Sequence, residues 1–350
     1  MNLTSSKEKN GSKKTFITGI RNWIQLSVFI MTIAIGFQFY IFISQAMNND
    51  PITVPRPVGV EGFLPIGALM GWKLFLLSGT WDIVHPASMV ILGYAVLISF
   101  LLRKSFCGWF CPVGTLSEWV WKLGKSILGK NYRIPTWIDL PLRSVKYILF
   151  GFFGYIITKM TVSEIAAFIE SPYYKIADVK MLHFFTRMSM LTAVVIVILI
   201  VLSLFFRNFW CRYACPYGAL LGIFSLISPT RIHRNPETCI NCEQCYQACP
   251  FHLPVNTKKQ VYSPECSGCM DCVNICPSKN TLELKTSWLK NALKTSQAGL
   301  LIVIAFISVV YMAKISGHWK SQIPEHNFRV WLEMIDSPTI QHPSVQFKKE

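Results

Sequence analysis

Charged side chains disappear from four long stretches of the chain. None stands between Arg21 and Asp50, between Asp82 and Arg103, between Arg187 and Arg207, or between Lys294 and Lys314. Each gap holds ~19 residues or more, about what a helix rising ~1.5 Å per residue needs to cross ~30 Å of hydrocarbon. These runs predict four membrane-spanning helices. A fifth is expected over roughly 142–161, but Lys146 and Lys159 leave only twelve uncharged residues between them, so length alone does not decide it.

The charge balance does. With five spans and the N-terminus inside, the inside segments are 1–23, 103–146 and 207–294, and they carry +15 of the net +16, against +1 outside. That asymmetry is the positive-inside pattern. Without the fifth span, residues 207–294 and their ten Lys and Arg would lie outside. A composition of 52% hydrophobic residues over 350 positions is that of a membrane protein rather than a soluble domain. Basic balance also suits nucleic-acid binding, yet these cations bracket apolar runs and no nucleic-acid partner is expected. The first apolar run is too long for a signal peptide and has no small-residue cleavage site before Asp50, so it reads as a retained anchor.

All twelve cysteines fall into four motifs. Two are Cys-x2-Cys-x2-Cys-x3-Cys-Pro runs: Cys239, Cys242, Cys245, Cys249 with Pro250, and Cys266, Cys269, Cys272, Cys276 with Pro277. This is bacterial ferredoxin spacing, in which the fourth cysteine of each run ligates the other cluster. One 4Fe–4S cluster is therefore expected on Cys239, Cys242, Cys245 and Cys276, and a second on Cys266, Cys269, Cys272 and Cys249. Zinc needs only four ligands and gives no reason for two such runs ending in Cys-Pro. Disulfides are disfavoured in the reducing cytoplasm, where the charge pattern puts this segment. No Cys-x2-Cys is followed by His, so a c-type haem motif is missing.

The other four cysteines lie in two related stretches, SFLLRKSFCGWFCPVGTL (Ser99 to Leu116) and SLFFRNFWCRYACPYGAL (Ser203 to Leu220). The agreement, at an offset of 104 residues, predicts an internal duplication. Each copy follows a span running outside to inside, so the copies are parallel repeats, which meet about an axis along the membrane normal. Cys107, Cys111, Cys211 and Cys215 should then converge at the cytoplasmic surface as a third thiolate redox centre. The spacing of four sets each pair on one helical face, and the following Pro ends or kinks the helix. Arg103, Lys104, Arg207 and Arg212 are basic neighbours that would favour thiolates. Packing cysteines at a re-entrant turn are the plainer alternative.

Two Cys-x3-Cys-Pro motifs, paired ferredoxin motifs and a last span together resemble the polyferredoxin membrane electron-transfer proteins of the NapH and NosR type, over roughly residues 20 to 315. The resemblance implies a multi-pass protein of the bacterial inner membrane, moving electrons between a quinone pool or cytoplasmic donor and a redox partner protein. The large N-terminal flavin domain of NosR has no counterpart here, so covalent flavin is not implied.

The expected fold is an α-helical polytopic membrane protein of about five transmembrane helices with a parallel internal repeat and an inserted α+β ferredoxin domain. Its parts are a basic cytoplasmic N-terminus (1–23), a membrane domain (24–228), the ferredoxin domain on the cytoplasmic side (229–285), a last transmembrane helix (295–313) and a periplasmic tail (314–350). An electron relay is the leading reading. A quinol dehydrogenase or metal-ion reductase, with its site in the membrane repeat, and an iron–sulfur sensor are its rivals. His85 and His183, near outer span ends, are candidates for haem ligation or quinone contact, with hydrogen-bonded anchors as the plain reading. Glu61, Lys73 and Asp82 in the first outer loop could include a carboxylate that takes up quinol protons, with solvated loop charges as the plain reading. His318, His326 and His342 in the tail make no metal template.

Overall fold

The computed structural model describes residues 19–48, 50–287, 291–335, 337 and 340; the basic segment before Gly19, and His342, lie outside them. The expected first span is helix α1 (Ile20–Met47), 28 residues with no charge after Arg21. Two apolar helices, α2 (Pro65–Ser78) and α3 (Pro86–Leu101), follow and then, after a π-helical turn at Phe106–Phe110, the amphipathic α4 (Pro112–Leu128). α5 (Thr136–Lys159) leads through the short helices α6 (Val162–Glu170), α7 (Pro172–Lys175) and α8 (Ala177–Thr186) to α9 (Met190–Phe205). A second π-helical turn, Trp210–Ala214, precedes α10 (Pro216–Leu226).

Among the described residues three helices are long and apolar enough to cross a membrane: α1, α5 and α13 (Thr295–Ile315). A fourth crossing results if α8 and α9, bent by 76° at Arg187–Ser189, count as one. The expected span over 82–103 forms α3, only 16 residues long. It starts at Pro86 and ends before Arg103, whose φ of 65° leaves the helical region. α9 is similarly short, because Ser189 caps its start through the Thr192 N–H. Much of α5 and α9 is exposed and apolar, with Ile148, Phe152, Tyr155, Val197 and Ile198 all outward, as suits helices bathed in lipid.

The two Cys-x3-Cys stretches are built alike. Each consists of a helix, a π-helical turn and a second helix beginning at Pro. Their partners are exchanged: α4 of the first stretch packs on α9 of the second, and α10 of the second packs on α3 of the first.

The ferredoxin segment lies between two strands, β1 (Thr230–Arg234) and β2 (Leu282–Thr286), paired antiparallel with Thr230 opposite Thr286. They enclose two five-residue helices, α11 (Gln244–Ala248) and α12 (Asp271–Ile275), and a core of Ile232, Val255, Val261, Met270 and Leu284. This segment contacts the N-terminal end of α1, where Arg21 bonds Asp271. The other end of α1, ~42 Å away at 1.5 Å per residue, packs Phe39, Phe42 and Ile43 against Phe328 and Leu332 of the last helix, α14 (Glu325–Glu333). The tail thus contributes apolar side chains to a core shared with α1.

Candidate redox site

Three cavities hold all twelve cysteines, four in each. Cys107, Cys111, Cys211 and Cys215 line the first. Cys249 joins Cys266, Cys269 and Cys272 in the second, and Cys276 joins Cys239, Cys242 and Cys245 in the third. The fourth cysteine of each ferredoxin run thus sits among the first three of the other, in the crossed grouping expected from spacing. Local geometry achieves this. In each run the residues two and four after the first cysteine are left-handed: Asn241 (φ 54°) and Glu243 (58°), Gly268 (59°) and Met270 (62°). These turns wrap three thiols about a cavity, and α11 or α12 then carries the chain to Cys249 or Cys276.

No group of three or more His, Cys, Asp or Glu among the described residues is gathered tightly enough for a single metal ion. The four thiols of each set surround a space instead of meeting at a point, which suits a polynuclear group better than tetrahedral zinc. Backbone amides also face sulfur: Gly218 N–H donates to Cys215 Sγ at 3.3 Å and Leu253 N–H to Cys249 Sγ at 3.4 Å. Cys111 and Cys215 are the N-cap residues of α4 and α10, where unpaired amides and the helix dipole favour thiolate.

The first and second cavities share a wall of Pro250, Phe251 and Ser267. Two glycines make the approach that close. A Cβ on Gly108 would lie 2.7 Å from the Ser267 carbonyl oxygen, and one on Gly268 would lie 2.6 Å from Ser105 Oγ. Trp109 Nε1 donates to the Gly268 carbonyl at 3.0 Å, fixing one cysteine loop on the other.

Of the basic residues expected beside the thiols, Lys104 alone lines the first cavity. Arg103 donates to Ser225 and Ser263 carbonyls, Arg207 to those of Gln247 and Cys249, and Arg212 to that of Phe251 while pairing with Asp139 at 2.9 Å. These arginines clamp the ferredoxin segment to the membrane domain. Adjacency to a cysteine in sequence says nothing about which way a side chain turns.

Two buried ion clusters that spacing does not announce complete the joint. Arg21 bridges Glu118 and Asp271, at 3.1 Å to the latter, and also donates to the Gly108 carbonyl at 2.9 Å. Glu265 receives Lys146 at 2.5 Å, Lys104 at 3.5 Å and the Tyr147 hydroxyl at 3.2 Å. Burial opposes the charge on Glu265, yet Lys104 and Lys146 hold its carboxyl down at about 2. Removing that carboxylate leaves two buried ammonium groups unpaired. Glu265→Gln is therefore expected to destabilise the protein by about 3–5 kcal/mol, measured as a lowered thermal midpoint in detergent and faster proteolysis after β1. A change under about 0.5 kcal/mol would refute the role.

The outer candidates have structural work. Asp82 accepts the Val84 and His85 N–H groups, and Glu61 accepts that of Ala87, so both carboxylates cap the start of α3. His85 Nε2 bonds the Tyr174 carbonyl at 2.8 Å. Lys73 donates to the carbonyls of Ile157, Thr158 and Met160 at the end of α5. His183 is half-buried on α8 and joins none of the cavities, while His318 stacks edge-on against Trp81.

Comparison with known proteins agrees with this geometry. The profile of a 4Fe–4S binding domain matches residues 84–131 and again 186–235, and that of a 4Fe–4S dicluster domain matches residues 231–277. Over 315 residues, 88% of each chain, the sequence is 42% identical to the "Putative electron transport protein YccM" of Escherichia coli. It is 31% identical over 205 residues, 57% of this chain and 26% of the relative, to the regulatory protein NosR of Stutzerimonas stutzeri. With the ferredoxin-type protein NapH of Haemophilus influenzae it shares 26% identity over 207 residues, 55% of this chain and 68% of NapH. No solved structure matches the chain.

Proposed function

Because the chain belongs to the membrane polyferredoxin family of the YccM, NapH and NosR type, we propose that it is a membrane-bound iron–sulfur electron-transfer protein whose three four-cysteine cavities form one relay. The observation that carries this reading is the sorting of all twelve cysteines into three sets of four. Cys266, Cys269, Cys272 and Cys249 would hold one 4Fe–4S cluster, and Cys239, Cys242, Cys245 and Cys276 another. Cys107, Cys111, Cys211 and Cys215 would hold a third iron–sulfur group, a reading supported by the two matches of the 4Fe–4S binding profile to those stretches. The groups, when bound, supply reversible one-electron storage; the chain spaces them, shields them and sets their surroundings.

Position supports an order. The first cavity lies between the two π-helical turns and the starts of α4 and α10, the second shares its wall, and the third holds Cys242, the exposed cysteine. Val113 lines the first cavity and is 42% exposed, at the start of an outward apolar row with Leu116, Leu123 and Ile127 on α4. A lipid-soluble quinol is the membrane-side reactant that such a mouth suits, and a redox partner protein takes the other end. The net +15 against +1 charge split, with ferredoxin segment and tail at opposite ends of α1, supports a cytoplasmic ferredoxin domain and periplasmic C-terminus in the bacterial inner membrane. α3, 24 Å long at ~1.5 Å per residue, and the bent α8–α9 pair would complete five spans. The matched stretches and their exchanged packing support an internal duplication.

Anaerobically purified protein should contain about twelve iron and twelve acid-labile sulfide per chain, four of each per cluster. About eight would leave the membrane cavity without a cluster. Stoichiometric zinc with no iron after reconstitution would sink the reading.

A further inference from the structure

Cys242 is the one exposed cysteine among the twelve. It stands in a run, residues 235–244, in which every side chain but Cys239 is exposed. At its centre Ile240 is 66% exposed, between two thiols of the third set. An isoleucine presented to water beside a redox group has no packing role in this chain. Exposed lysines lie on segments tied to this run: Lys258 and Lys259 next to Arg234, which lines the same cavity, and Lys279 next to Ser278, whose hydroxyl donates to the Thr238 carbonyl at 2.8 Å. The Arg234 N–H bonds the Lys259 carbonyl at 2.8 Å and its Nε bonds the Lys258 carbonyl at 3.4 Å, which holds that lysine pair beside the cysteine loop. Glu237 and Glu243 are the opposing acids, and Glu243 is engaged by Asn256.

Resting on the iron–sulfur reading above, we infer that residues 235–244, with Ile240 as apolar centre and Lys258, Lys259 and Lys279 as rim, dock an acidic, water-soluble one-electron carrier protein. A single exposed apolar residue with cations on the adjoining segments fits the small, transient interfaces of electron-transfer encounters. The rim charges raise the encounter rate with an acidic partner and make it salt-dependent. Each encounter moves one electron between the carrier and the group behind Cys239 and Cys242. The carrier is oxidised as that group is reduced, or the reverse, and no bond or proton is exchanged. A membrane or nucleic-acid occupant fits worse, because the surface presents a single apolar residue and two acids, Glu237 and Glu243, rather than an apolar face or a continuous cationic groove.

The test uses the full chain in nanodiscs and two acidic probes, a flavodoxin and a 2Fe–2S ferredoxin, with binding read by biolayer interferometry at low and high salt. Wild type should bind at least one probe saturably and lose most of that affinity by ~0.5 M salt. Ile240→Glu should weaken binding about tenfold or more, and Lys258→Glu with Lys279→Glu should act mainly on the association rate. Lys125→Glu with Lys130→Glu, on exposed positions of α4 and just after it, should change binding less than about twofold. Absence of saturable wild-type binding to both probes overturns the inference, as does unchanged affinity in Ile240→Glu or equal loss in the α4 control. Self-association abolished by Ile240→Glu would assign the surface to a second copy and also overturn it. Iron and EPR signals are measured on the same samples: their loss from wild type would sink the iron–sulfur reading, whereas intact signals with unchanged binding sink only the docking.

Discussion

Replacing Cys249 by Ser should remove the cluster of the second ferredoxin run and spare that of the first, although Cys249 belongs by sequence to the first. In the fold it faces Cys266, Cys269 and Cys272, and α11, five residues long, is what carries it there. Cys276→Ser should do the opposite, because Cys276 faces Cys239, Cys242 and Cys245. Each variant should lose about four iron, so iron content alone does not separate them. Exposure does. The second set is buried, while Cys242 of the third cavity is exposed and Cys239 half-buried. An aqueous paramagnetic relaxing agent should therefore broaden the EPR signal that survives in Cys249→Ser and leave that in Cys276→Ser nearly untouched. The reversed pattern would mean that each run ligates its own cluster, and the crossed grouping would be wrong.

What the sequence makes legible here is whatever is local. Thiol spacing two and three residues apart marks the cysteine loops and spacing of four sets each Cys-x3-Cys pair on one turn, while the expectation that the two pairs meet comes from the matching stretches 104 residues apart. Contacts between distant segments leave no such trace. Arg21 and Asp271 are 250 residues apart, and Lys146 and Glu265 are 119 apart; nothing in their spacing marks them as partners. The charge gaps that reveal spans fail for a related reason, since they count residues and not the breaks between them. The gap from Arg187 to Arg207 hides the 76° bend before Met190. Lys73 interrupts the pattern that would have disclosed α2, because its ammonium is matched to carbonyls at the end of α5 rather than to water. Glu61 and Asp82 looked like proton acceptors for the same reason: a carboxylate capping a helix across a loop cannot be told in sequence from a solvated one.

The double replacement of Cys107 and Cys211 by Ser carries the other large effect. All four membrane-repeat cysteines line one cavity, with Cys111 and Cys215 at helix N-termini and buried Lys104 beside them. The helix starts and the Lys104 ammonium offset part of the cost of burying the negative charge that a thiolate-ligated group would carry. Packing cysteines would need neither the cation nor the two helix starts. If the cavity holds an iron–sulfur group, the double variant should lose about four of about twelve iron while both ferredoxin-segment EPR signals persist. Reduction of those clusters by a membrane quinol should fail, whereas their reduction by dithionite from water should proceed as in wild type. Serine is nearly the size of cysteine, so a merely structural role predicts little change in any of these readouts. Unaltered iron content together with unaltered quinol-driven reduction would show that these thiols are packing. Unaltered iron with lost quinol-driven reduction would favour a dithiol–disulfide couple at the same place. The wall of Pro250, Phe251 and Ser267 gives the prediction its sharpest form, because it leaves the second cavity as the nearest acceptor for an electron held among these four cysteines.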